Sequence, residues 1–314
     1  KDLSALNIKR ADAYPRASES IELMQSLIVE LMDKGFAYVG GDKTVYFDAQ
    51  KFESYGAISG NKLDSLIPGH KFENHNEGAK RFHADWALWK TAGGRSEMIW
   101  DSPWGPGFPG WHIECSAMSK NCCGETFDIH GGGPDLPFPH HENEIAQSEA
   151  ANGCKYVNYW MHAGAVRVDG EKMSKSLGNF FTIRDVLEKY HPEVVRFLLV
   201  SSHYRSPINY AEDNLIEARS GLERFYGALR DYAHVTPANL AEVSDTSYYK
   251  AFVDAMNDDF NTRVALAGMY DLVRDLNNAS KTNPAQAESL AALFKAFGLI
   301  LGILQENPAV FLQS

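Results

Sequence analysis

With 314 residues, 44% hydrophobic and 23% charged, the chain is long enough to bury a core and to divide into roughly two or three domains. Thirty Lys and Arg against 41 Asp and Glu give a net charge of −11. That balance disfavours non-specific binding to polyanions and confines any nucleic-acid contact to a local basic patch. No apolar run is long enough to span a bilayer and no secretory signal opens the sequence, so no membrane role is expected. Cys115, Cys122, Cys123 and Cys154 then read as reduced thiols of a cytoplasmic protein. The first residues, KDLSALNIKR, lack a Met and read as the middle of a helix, the pattern of a fragment.

Residues 17–34 place apolar side chains at 21, 24, 27, 28, 31 and 32, helical spacing closed by Gly35. FAYVGGDKTVYFDA, from Phe36, reads as a hairpin around a Gly-Gly-Asp turn. Residues 50–80 are polar and turn-rich, and DWALWK at 85–90 reads as an anchor packed through Trp86 and Trp89. DSPWGPGFPGWHIE, rich in Pro and Gly, predicts a shaped loop leading into Cys115. TFDIHGGG predicts a buried strand ending in a glycine turn, followed by a helix starting near Pro139 and a second strand region at 157–170. Strand, glycine turn, helix and strand is the order of an open parallel α/β sheet, whose ligands sit beyond the carboxyl ends of the strands. After EKMSKSLGNFFTIRDVLEKY the chain carries helical spacing to its end, and residues from about 200 predict a separate bundle.

The stretch from Gly110 to Glu144 is the densest in chemistry. His140 and Glu144 are four apart, so on a helix they project from one face, and imidazole with carboxylate suits Zn²⁺. Cys115 offers a thiolate from the preceding segment. His141 as the imidazole, Glu142 as the carboxylate, and Cys122 or Cys123 as the thiolate remain rival choices on spacing alone. A Cys–His hydrolase, with Cys115 activated by His112 or His130, is the other chemistry these residue types permit, but no local signature of such enzymes surrounds Cys115. The second cluster is EKMSKSLGN, where Lys172 and Lys175 flank Met-Ser on a loop, mobile ammonium groups of the kind that neutralise polyphosphate charge.

KMSKS at 172–176 resembles the second nucleotide-binding signature of the class I aminoacyl-tRNA synthetases. PGWHIECSAM at 109–118, FDIHGGGPDL at 127–136, FPHHENEIAQSEA at 138–150 and NYWMHAG at 158–164, together with EKMSKSLGNFFT, are similar to the cysteinyl-tRNA synthetase family. The resemblance runs through essentially the whole chain. It implies an α/β fold with the second half of a Rossmann-type parallel sheet, a small α+β insertion and a C-terminal helical bundle. The expected boundaries are 1–95 for the insertion, 96–200 for the half-Rossmann domain and 201–314 for a bundle that contacts tRNA.

The family holds zinc with two cysteines, a histidine and a glutamate, and the resemblance matches Cys115, His140 and Glu144 to three of these. In the family the metal takes the substrate thiolate directly, and a serine hydroxyl is a poor ligand in its place. Trp111 and His130 match residues lining the amino-acid pocket, with Asp135 beside them; Lys175 matches the lysine that contacts ATP, with Lys172 close by. The implied reaction is ATP-dependent activation of L-cysteine, with Mg²⁺, and transfer to cysteine tRNA. No heptad seam is present in the sequence, so a monomer is expected. MNDDFNT at 256–262 matches a recurring stretch of the family's bundle and is assigned structure. The first Rossmann half, with the HIGH-type motif and the first zinc cysteine, and an anticodon-reading domain are expected to lie outside these residues. The related cysteine ligase of mycothiol biosynthesis, and a non-catalytic tRNA-binding paralogue, are the alternatives.

Overall fold

The computed structural model describes residues 2–67, 79–173, 178 and 181–313. They form two compact units, Ala11–His162 and a second made of Lys1–Arg10 with Ala163–Ser314.

Helix α1 (Asp2–Ala5) belongs to the second unit, and the first regular helix of the Ala11–His162 unit is α2 (Ile21–Asp33). The apolar spacing of α2 buries Ile21, Met24, Leu27, Ile28 and Leu31 as one stripe. Strands β1 (Ala37–Val39), β2 (Val45–Phe47), β3 (Trp86–Thr91) and β4 (Gly107–Pro109) follow as an antiparallel meander in that order. The expected hairpin is β1–β2, and the DWALWK anchor is β3, with Trp86 stacked on Phe47 at 4.4 Å between centroids. Trp89 is fully buried in the same cluster as Met24, Ile28, Leu31, Leu88 and Ile113.

Helix α3 (Trp111–Cys123) departs from the shaped loop predicted up to Cys115. Gly110 precedes it, and its N–H donates to the Leu88 carbonyl on β3. A Cβ at 110 would lie 2.0 Å from the Ala87 carbonyl oxygen, so only glycine lets the helix begin this close to the sheet. Strand β5 (Phe127–Gly132) and β6 (Val157–His162) pair in parallel, joined through helix α4 (Glu142–Asn152), the predicted strand–turn–helix–strand unit. Two expectations need correction here. The TFDIHGGG strand is half exposed, with Ile129 on β5 opposite Tyr159 on β6 and both open to solvent, because among the described residues only β6 pairs with β5. The regular helix begins at Glu142, since residues 137–141 form an irregular turn with extended backbone at Phe138 and a cis Phe138–Pro139 bond.

The second unit holds a three-stranded sheet of β7 (Val166–Val168), β8 (Glu171–Lys172) and β9 (Ile208–Tyr210) in the order β8-β7-β9, mixed in direction. The 157–170 strand region is thus two strands, β6 and β7, one in each unit. Short helix α5 (Ile183–Leu187), opened by a capping box of Thr182 and Asp185, leads to α6 (Pro192–Val200). The predicted bundle follows as α7 (Glu212–Ala228), α8 (Ser247–Asn257), α9 (Thr262–Thr282), α10 (Pro284–Leu301) and α11 (Pro308–Phe311). Its core joins Phe197, Leu222, Phe225, Leu272, Leu276 and Phe294. Residues before Arg10 belong to it: Arg196 donates to the carbonyls of Leu6 and Leu301, both at 2.6 Å. No helix among the described residues is long and apolar enough to cross a membrane.

Candidate metal centre

Helices α3 and α4 bring Cys115, His140 and Glu144 together, their ligand atoms all within 4.8 Å of one another. Glu144 is fully buried and His140 nearly so. Their Nε2 and Oε1 lie 3.0 Å apart, yet without hydrogen-bond alignment, and Oε1 has no hydrogen-bond partner among the described residues. A buried carboxylate oxygen is costly to leave unsatisfied. An oxygen, an imidazole nitrogen and a sulfur converging on one point, with the oxygen otherwise unpartnered, fit a tetrahedral zinc ion.

The neighbouring contacts orient these donors. His112 Nδ1 lies 2.7 Å from His140 Nδ1, a contact that turns His140 Nε2 toward Glu144. Burial, and then the nearby His140 and Lys90, push the His112 pKa down to about 3, which keeps His112 neutral. Tyr156 donates to Glu144 Oε2 at 3.0 Å, fixing the carboxylate from its other side. Gln147 donates to the His112 carbonyl and to Ser116 Oγ, and accepts from Trp86 Nε1, so one amide ties α3, α4 and β3 together. Burial first, then Glu144 and Glu114, push the Cys115 thiol up to about 12. Two carboxylates are the reverse of the cationic setting that activates a cysteine nucleophile, which argues against the hydrolase alternative. They are the setting in which a bound cation would release the proton.

A second set, His130, His141 and Glu144, also converges within 4.8 Å and shares the same carboxylate. Its donors are nitrogen and oxygen only, and His141 Nδ1 is engaged with His162 Nε2 at 2.8 Å. The thiolate makes the Cys115 set the better zinc site. Glu142, a rival on spacing, is turned elsewhere: its carboxylate accepts from the backbone N–H groups of Gly56, Ile58 and Ser59 and from Ser59 Oγ. Cys122 and Cys123 are exposed at the end of α3 and join no candidate set among the described residues.

Trp111 is 57% exposed and stacks on His140 at 4.1 Å, and His130 stacks on Trp160 at 4.7 Å, so the two aromatic rings predicted for a pocket wall adjoin the candidate centre. Asp135 is exposed on the loop after β5. Lys172 ends β8, and Lys175 lies outside the described residues. His112, Gln147 and Tyr156 were not singled out as supports of the site. Helical spacing of 112, 115 and 116 with Gln147 one turn beyond Glu144 was their only signal, and it needed α3 to be recognised as a helix.

A parallel strand pair joined through a helix, as β5 and β6 are through α4, is a piece of an open α/β sheet. The family described as tRNA synthetases class I (C) catalytic domain matches residues 1–220, and the chain belongs to it. A DALR domain matches residues 251–305. Among the particular relatives, the cysteine–tRNA ligase of Azotobacter vinelandii is 57% identical over all 314 residues, and that of Stutzerimonas stutzeri 56%. The chain spans 66% of the length of each. Among solved structures, Mycobacterium tuberculosis methionyl-tRNA synthetase in complex with methionyl-adenylate superposes with a TM-score of 0.62 at 14% identity, covering 99% of this chain and 76% of that one. A putative arginyl-tRNA synthetase from Campylobacter jejuni gives 0.58 at 13% identity, over 98% and 66% of the two chains. These two establish the shared class I fold.

Proposed function

We propose that the chain is the zinc-bearing part of a cysteine–tRNA ligase, which activates L-cysteine with ATP and transfers it to cysteine tRNA. The observation that carries this reading is the convergence of Cys115, His140 and Glu144 around an unpartnered buried carboxylate oxygen. The 56–57% identity to cysteine–tRNA ligases over all 314 residues of the chain supports it. Zinc held by Cys115, His140 and Glu144 would supply a soft Lewis acid that prefers a thiolate to a hydroxyl.

The protein's own residues do the rest. Trp111, stacked on His140, and His130 give the substrate a flat apolar border beside the ligands. Tyr156 and His112 hold Glu144 and His140 in place, so that the pocket does not reorganise when the thiol enters. Lys172, at the end of β8, and Lys175 of the KMSKS sequence are assigned to neutralise charge on the phosphates of ATP, with Mg²⁺. The protein is assigned to the cytoplasm and acts as a monomer.

Pyrophosphate exchange and tRNA charging by the full-length gene product test the reading. Exchange dependent on cysteine and ATP, with charging of cysteine tRNA, is the expected result. Exchange without charging would move the assignment to the mycothiol-type cysteine ligase, and neither activity would move it to a non-catalytic paralogue. About one zinc per chain is expected, reduced by Cys115→Ser together with discrimination against serine.

A further inference from the structure

The MNDDFNT stretch, assigned only a structural part on sequence, contains an unusual backbone. Asp259 and Phe260 are consecutive non-glycine residues in the left-handed region, with φ of 56° and 53°. Each such residue is held there at a cost, and bulky Phe more than Asp. Phe260 is 49% exposed, so core burial does not explain the conformation.

What the turn achieves is to aim one carboxylate. α8 closes through hydrogen bonds from Phe260 N to Met256 O and from Asn261 N to Ala255 O, and Asn261 caps α9. Between these fixed ends, Asp259 accepts from Tyr204 Oη at 2.7 Å and from Arg205 Nε at 2.6 Å, and His203 Nε2 lies 3.6 Å away. Thr262 Oγ1 donates to the Ser202 carbonyl. The turn at residues 202–205 is therefore grasped along its length.

That turn leads straight to the sheet that holds β8. The Tyr204 carbonyl accepts from Gly164 N at 2.7 Å, and a Cβ on Gly164 would lie 2.2 Å from the Ser206 carbonyl oxygen. Ile208 N then bonds to Ala165 O, and β9 pairs with β7 in parallel. Asn209 on β9 accepts from Gly170 N at 2.8 Å, and Tyr210 O accepts from Asp169 N. Asp169 and Gly170, at φ 48° and 83°, are the two central residues of the β7–β8 hairpin, and β8 ends at Lys172. Hydrogen bonds and strand pairing thus run unbroken from Asp259 to the strand that launches KMSKS.

We propose that Asp259 is a positioning residue for β8, the strand that ends at Lys172 where the KMSKS sequence begins, acting through Tyr204 and Arg205 on the β9–β7–β8 sheet. The proposal rests on the reading of that sequence as the ATP-contacting one. Asp259→Asn and, as a second variant, Arg205→Gln in the full-length gene product test it by pyrophosphate exchange at varied ATP and varied cysteine. Each variant is expected to lose roughly ten- to hundredfold in kcat/KM for ATP. The KM for cysteine and the zinc content stay at wild-type values, and the double variant loses no more than the worse single one. A second arm needs no catalysis: tryptic cleavage at Lys172 and Lys175 should be several-fold faster in both variants. If wild-type protein shows no exchange while cleavage responds, the catalytic reading fails and the coupling stands. Unchanged cleavage, unchanged ATP kinetics, or losses shared equally by cysteine KM and zinc content would overturn the proposal.

Discussion

Helices α4 and α9 are both well buried, and they are buried in opposite ways. α9 buries Ala265, Leu266, Met269, Leu272, Val273, Leu276 and Ala279, one apolar stripe at helical spacing, and turns Asp271, Arg274 and Lys281 outward. α4 buries Glu142, Asn143, Glu144, Gln147 and Ser148 alongside Ile145 and several alanines, with no apolar stripe. Apolar burial is non-directional, so α9 is held by area and shape. Each polar group on α4 requires its own aligned partner, so α4 is held by a set of individual bonds. One of them, Lys34 Nζ to the Ala151 carbonyl, caps its far end. The bundle helix contributes stability; the site helix uses stability to fix the direction of a few donor atoms.

The largest expected effect breaks the apolar side. Leu276→Ala, at a fully buried position, should cost ~2–5 kcal/mol in urea unfolding by transfer loss and cavity formation. Its zinc content should not change; a parallel loss of zinc would mean the two regions are not independent. On the polar side, Glu142→Ala leaves the backbone donors of Gly56, Ile58 and Ser59 without their acceptor and should cost ~1–3 kcal/mol. That loss should be read by hydrogen exchange at residues 56–59, which lose protection while α9 keeps its own. Gln147→Leu preserves volume but removes three bonds around the ligands, and should lower zinc affinity about 10- to 100-fold in a chelator competition. The smallest effect is expected for Arg274→Ala, which removes an exposed i,i+3 pair with Asp271 and should stay within ~0.5 kcal/mol. A larger loss there would show that surface charge, rather than the apolar stripe, holds α9.

The same contrast explains what was legible in the sequence. α2 and the bundle helices announce themselves through period 3.6, because their burial is apolar and one-sided. The β1–β2 hairpin and the β5–α4–β6 unit followed from turn residues and order. α3 was missed: its residues are mixed all round, since it buries Ser116 beside Ile113 and Ala117, so periodicity is silent. The Asp169–Gly170 hairpin was missed although Asp-Gly between short apolar runs was there to be read. The residue types proposed as ligands, Cys115, His140 and Glu144, stand out in the sequence, and motif resemblance ranks them; spacing alone leaves His141 and Glu142 open. What separates them is three-dimensional: Glu142 is occupied by a loop more than eighty residues away, a pairing no local pattern encodes. His112 and Tyr156 were hidden for the same reason, reaching the site only once α3, α4 and β6 are packed.

The central claim is that Cys115, His140 and Glu144 form a metal corner that receives a substrate thiol. Replacing the metal of the full-length gene product with Co²⁺ and recording its absorption spectrum tests it most directly, because sulfur-to-cobalt charge transfer reports each thiolate bound. The account predicts a thiolate band that weakens in Cys115→Ser, grows when L-cysteine is added, and does not respond to L-serine. A spectrum unchanged by Cys115→Ser, or equal responses to the two amino acids, would contradict it.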